Sequence, residues 1–176
     1  MAHITLYQSR LDAYTEGKDP LEMQSSTATV LAELIEGVPV EKLRRRPLPH
    51  KWSVTEILAH LAEDELASSW RYRQMIENSG CPLAGFDQDE WARLGDYSSW
   101  SPADALQMFR LLREANLRML KQLTAEEWAR HGMHAERGKI SVRDLGRHMA
   151  GHDMNHVDQI RTILGKSQKS LPPSTR

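Results

Sequence analysis

Residues 141–164 read SVRDLGRHMAGHDMNHVDQIRTIL, and the fold turns on how this stretch is taken. Apolar residues fall at Val142, Leu145, Met149, Val157, Ile160 and Ile163, the three-and-four spacing of one helical face. Ser141 starts the helix and Gly165 stops it. His148, His152 and His156 stand where leucines would otherwise continue an inward face. Spacing of four stacks them one turn apart, though the face drifts by about 40° at each step. A neighbouring pair can therefore share one ion more readily than all three. Buried imidazoles without partners cost roughly several tenths to a few kcal/mol each, so this helix needs a polar companion inside a bundle. Ala150 and Gly151 leave room for a close neighbour, and Asp153 and Asn155 add polar groups beside the ladder.

Working outward, three more long segments carry helical periodicity. One runs from about Leu21 to Glu36, with Val30, Leu31, Leu34 and Ile35 on its face and Gly37 and Pro39 beyond it. A lesser helix from about Thr5 to Thr15 precedes it. Another begins at Ser53, where Glu56 completes a capping box, and carries Ile57, Leu58, Leu61, Leu66 and Met75 until Gly80 and Pro82. The third starts at Ser101-Pro102 and carries Ala105, Met108, Phe109, Leu112, Leu117 and Leu120. A capped turn at Thr124 adds a short extra helix. No stretch alternates as a strand would. The expected fold is all-α: a four-helix bundle with long inter-helix loops, one domain over residues 1–165 and a polar tail over 166–176. The loops from Gly80 to Trp100 and from Trp128 to Lys139 exceed what a bundle needs, and such loops tend to cover something.

The balance of charge is −1, which gives no global field to attract nucleic acid or an anionic membrane. Arg44-Arg45-Arg46 runs into Pro47-Leu48-Pro49 and reads as a solvated turn. Cys81 is the one cysteine, so no intramolecular disulfide can form and a reducing compartment fits. Residues 1–7 lack a signal-peptide pattern and no apolar run approaches the roughly 20 residues of a membrane span. The expected location is the cytoplasm.

The segment from Ser53 contributes a single histidine, His60, among apolar neighbours, with Asp64 one turn on. Two histidines from one helix and one from another is how bundles assemble internal metal sites. Three imidazoles suit Zn²⁺, Ni²⁺, Cu²⁺ or Fe²⁺ rather than Mg²⁺ or Ca²⁺, and leave a coordination position open. His-x-x-x-His is a weak motif by itself, so satisfied core histidines or solvent-facing ones stand beside the metal reading. It is not the zinc-protease pattern, since Asp153 stands where that motif has Glu.

Two blocks carry a resemblance. Lys51-Trp52-Ser53-Val54-Thr55-Glu56-Ile57-Leu58-Ala59-His60-Leu61-Ala62 and Gly151-His152-Asp153-Met154-Asn155-His156-Val157-Asp158-Gln159-Ile160, at this separation, resemble the DinB/YfiT-like family of four-helix-bundle metalloenzymes. The likeness extends more faintly to residues 86–91 and around Gly138. It implies a bundle with an unusual connection and one divalent metal, zinc or nickel, on His60, His152 and His156. His148 falls outside that triad. The resemblance also implies homodimers and, in some relatives, transfer or use of low-molecular-weight thiols.

The resulting expectation is a metal-dependent enzyme, a thiol S-transferase or hydrolase acting on a small molecule through the open position, with no nucleic-acid or membrane partner. The alternative is a non-catalytic metal-stabilised dimer or stress-related sensor. Other residues divide the same way. Trp52 reads as a hydrophobic staple or a pocket wall. Asp64 is a general base or a surface acid. Asp87 and Trp91 could close the site from the long loop. Arg110 and Arg113 read as solvated helix charges before binders of an anionic substrate end, His131 and His134 as surface-loop residues, and Met108, Met119, Met149 and Met154 as packing.

Overall fold

The computed structural model describes residues 2–166; the tail expected over 166–176 lies, apart from Lys166, outside the described residues. Helices α1 (Ala2–Thr15), α2 (Pro20–Ile35) and α3 (Val40–Arg44) lead into α4 (Val54–Glu77). Strand β1 (Cys81–Leu83), α5 (Gln88–Leu94) and a 3-10 turn (Tyr97–Ser99) precede α6 (Pro102–Leu120). Then come α7 (Ala125–Ala129), β2 (His131–His134), β3 (Gly138–Ser141) and α8 (Val142–Leu164). No described helix is long and apolar enough to cross a membrane.

The long helices begin where local chemistry starts them. Ser53 Oγ accepts from the Glu56 amide while Glu56 Oε2 accepts from the Ser53 amide, satisfying donors that the first turn of α4 would leave unpaired. Ser141 and Asp144 do the same for α8. Gly165 ends α8 at φ 68°, a conformation costly to residues with a Cβ.

The four long helices α2, α4, α6 and α8 form the bundle. Helix α4 packs on α6 and α8, and α2 packs on the same two, so consecutive long helices α2 and α4 approach the pair from different sides. An up-down bundle would place them side by side. Helix α1 lies against α8, and Gly151 makes that contact possible: a Cβ there would come within 2.6 Å of the Leu11 carbonyl oxygen.

The long loops are not loops throughout. They supply a three-stranded sheet, β1 parallel to β2 and β2 antiparallel to β3, which corrects the expectation of no strands. Gly132 is required here, because the side chain of its neighbour Leu83 occupies the space its Cβ would take. The first loop also forms α5, capped by Asp87.

The apolar core has two halves. One gathers Leu31, Ile57, Leu58, Phe109, Val157 and Ile160. The other gathers Tyr72, Met75, Leu83, Leu120, Ile140, Leu145 and Met149. Along α4 the residues between these halves are His60, Asp64, Glu65 and Ser68; along α6 they are Arg113 and Asn116; along α8 they are His152, Asp153 and His156, all buried. A polar belt thus crosses the waist of the bundle.

Candidate metal centre

His60 on α4 and His152 and His156 on α8 converge in that belt. The Nε2 of His152 lies 3.1 Å from that of His60 and 3.2 Å from that of His156, and one nitrogen from each ring falls within 4.8 Å of the others. Bonds of about 2.0–2.1 Å at a tetrahedral centre separate two ligand nitrogens by about 3.3 Å. The triad named from the sequence is therefore together in space, two histidines from one helix and one from another.

The outer nitrogens are held. His156 Nδ1 donates to Gln159 Oε1 at 2.9 Å, which leaves Nε2 as a bare lone pair. Asp64 Oδ2 lies 3.4 Å from His152 Nδ1, too long and bent for a hydrogen bond but placed to favour the proton on that side. The ring of Trp52 covers His60 at 4.8 Å between centroids. Trp52 thus reaches the site itself, beyond the staple expected at the helix entry.

Burial keeps the three rings neutral. It lowers His152 to about 3, assisted by His148 and Arg113. It lowers His156 to about 3, with His152 adding and Gln159 opposing. His60 is pushed well down by burial, then by His152 and His156. Lone pairs of neutral imidazoles facing one another repel unless a proton or cation lies among them. Here the proton positions on His156 and His152 are drawn to the far nitrogens. The donor set fits a borderline divalent transition metal, and three protein ligands leave a position for another molecule.

That position has access. A cleft of about 570 Å³ is lined by His60, Asp64 and His152 at its inner end. His156 is not on its wall. Asp87 and Phe86 from the long loop line the cleft, while Trp91 stacks behind Phe86 at 4.3 Å. His134, read as a surface-loop residue, sits half-buried on β2 and lines the cleft; His131 does not, and meets Ser79 instead. His148 also lines it, its ring 6.2 Å from that of His152 and its Nδ1 buried without a partner. Asp64 is buried rather than a surface acid, and burial raises its carboxyl to about 7 against the pull of Arg71.

Arg113 needs the largest correction. It is 2% exposed, not solvated, and its fork grips Asp153 with contacts of 2.5 and 3.0 Å while Nε sits 3.1 Å from Glu65 Oε2. Burial opposes its charge, but Asp153 and Glu65 outweigh that and raise it. Its position four residues after Phe109 on the inward stripe was the available signal. Gln159, three residues after His156, carried a similar one. Leu66 also departs from its expected inward place, at 48% exposed.

This arrangement defines a class: a helical bundle with a three-histidine candidate metal site at its waist, open to a cleft. The sequence model of the DinB superfamily matches residues 25–160, and the chain belongs to that superfamily. The chain is 22% identical over 140 residues to a protein of Oceanobacillus iheyensis named "Putative metal-dependent hydrolase", covering 80% of each. It is 22% identical over 145 residues to "Putative metal-dependent hydrolase YfiT" of Bacillus subtilis, covering 78% of this chain and 82% of that one. The solved structure of Bacillus subtilis YfiT, described as a "probable metal-dependent hydrolase with an unusual four-helix bundle topology", superposes with a TM-score of 0.76 at 18% identity, over 84% of this chain and 87% of that one. The all-α bundle and the family resemblance expected from the sequence both hold.

Proposed function

We propose that this protein is a metal-dependent enzyme in which His60, His152 and His156 hold one divalent ion, zinc or nickel, and the cleft admits a small molecule to the open coordination position. A bound ion would acidify a coordinated water or thiol, supplying the nucleophile for hydrolysis or S-transfer. The observation that carries this reading is the convergence of three neutral imidazole nitrogens at ligand spacing, with two of the rings on the wall of an open cleft. The chain's own residues do the rest. Gln159 and Asp64 orient the rings, Trp52 fixes His60, and the long loop shapes the entrance. Asp64, beside His152 and close to neutral charge preference at pH 7, can take up a proton from the incoming group. The reading further takes a low-molecular-weight thiol as one partner, a homodimer as the working state, and the cytoplasm as a location suited to the free buried Cys81.

Elemental analysis of purified protein tests the first step. We expect close to one transition-metal ion per chain, and its loss in the His152→Ala/His156→Ala variant. Unchanged metal content in that variant defeats the assignment. Chelation should then abolish turnover in a panel of ester hydrolysis and thiol-transfer reactions, and zinc or nickel should restore it. Stoichiometric metal without any exchangeable ligand would leave the non-catalytic module instead.

A further inference from the structure

The cleft has a second wall that the metal reading leaves unused. Arg71 projects from α4, and Arg137 from the turn between β2 and β3, and both line the same space as His60 and His152. Neither takes part in an ion pair among the described residues, although both line a partly enclosed space rather than the open surface. Arg71 is half-buried and held in place: one nitrogen donates to the Ala84 carbonyl at 2.6 Å and the guanidinium lies 5.3 Å over the Phe86 ring. Arg137 donates to Gln8 Oε1 at 3.4 Å.

Two guanidinium groups in one concavity repel, which sets a cost against the contacts that hold them there. Each feels the cost. Burial lowers both, and the charge of Arg71 lowers Arg137 further. Nearby carboxylates relieve them only in part: Asp64 acts on Arg71, and Asp144 and Asp12 act on Arg137, yet burial outweighs both. Asp87 is engaged by the amides of Asp89 and Glu90, and Glu136 forms no ion pair among the described residues. A ligand oxyanion is what such a pair is shaped to receive, since a guanidinium fork matches the two oxygens of a carboxylate.

We propose that Arg71 and Arg137 form the specificity arm of the site, binding a carboxylate of a small substrate whose other end reaches the position between His60 and His152. The inference rests on the metal reading and narrows its substrate to anionic small molecules, mercapto acids among them. Arg71 sits at the inner end of this arm, close enough to Asp64 to act on its charge. Arg137 stands further out on an exposed turn.

The test titrates 3-mercaptopropionate and its uncharged isostere 3-mercaptopropionamide into protein loaded with Co²⁺. Calorimetry reads affinity, and the thiolate-to-cobalt charge-transfer band reads sulfur on the metal. Wild type should bind the acid about tenfold or more tighter than the amide. In Arg71→Gln/Arg137→Gln the ratio should fall to about one, with amide affinity and band unchanged. Arg137→Gln alone, in an exposed turn that preserves the fold, should already lower the ratio about threefold. Equal affinity for acid and amide in wild type overturns the proposal, as does a preference that survives both substitutions. The thiol reading fails separately: an arginine-dependent preference without any charge-transfer band supports the arm and removes sulfur from the metal.

Discussion

Two polar groups share the waist of this bundle, and they are built on opposite terms. Around Arg113, charge is buried and answered. Asp153 receives two guanidinium contacts and the Thr27 hydroxyl at 2.9 Å, Glu65 receives Arg113 and Asn116, and Gln24 offers its carbonyl. Around His152, the groups are neutral and turn their Nε2 atoms toward one another. The first group closes on itself between α2, α4, α6 and α8. The second ends at a cleft. A network of opposite charges carries structure; neutral nitrogens of similar burial gathered at the end of a cleft are arranged for something that is not part of the chain.

Acid should separate them most sharply. In metal-free protein the fold holds His152 and His156 neutral down to about 3 and His148 to about 4, while the unfolded chain takes up those protons near the ordinary 6.5. The unfolded state then binds more protons across that window, so stability is full above about 6.5 and falls as pH drops through it. Asp64 acts the other way: raised to about 7 from 3.8, it contributes stability at low pH that is lost as pH rises through that range. Several imidazoles outweigh one carboxyl. Calorimetry of metal-free protein should show Tm falling steadily from pH of about 7 to about 4.5. A flat or rising Tm would mean that the rings are charged in the fold.

The closed group is broken by Arg113→Met, which leaves Glu65 and Asp153 buried without their cation. Loss of one partner from such a network costs roughly 3–5 kcal/mol. Urea unfolding should report a loss in that range, while folded variant keeps its metal stoichiometry. A loss under about 1 kcal/mol would place these carboxylates in solvent.

The same contrast explains what could be read from the chain alone. Helix positions were legible because Ser53 with Glu56, Ser101-Pro102 and Ser141 are local signals, and because apolar spacing is local too. The triad was legible because His152 and His156 are one turn apart and the blocks around them and His60 resemble a family. The sheet was not. Its strands are three and four residues long, too short to alternate visibly, and Cys81 pairs with Gly132 far along the chain. Arg113 was misread for a related reason: a charge on a helix looks solvated until its partners, 48 residues before it at Glu65 and 40 after it at Asp153, are known to meet it. The cleft wall was invisible for the same cause, since Tyr7, Arg71 and Arg137 come from three separated segments.

The smallest expected effect separates the ligands within the open group. Gln159→Leu keeps the volume beside His156 and removes the oxygen that accepts from Nδ1 at 2.9 Å. The ring then loses what fixes its proton and its direction, and metal affinity should fall roughly 10–100-fold in competition with a chelating dye. Gln159 is half-buried, so stability of the metal-free protein should change little. Asp64→Asn acts on His152 across a longer, poorly aligned 3.4 Å contact and should weaken binding less. If Asp64→Asn proves the more damaging, the carboxylate must be acting on the metal position through its charge rather than through the orientation of His152, and the proton-accepting role given to Asp64 becomes the stronger of its two.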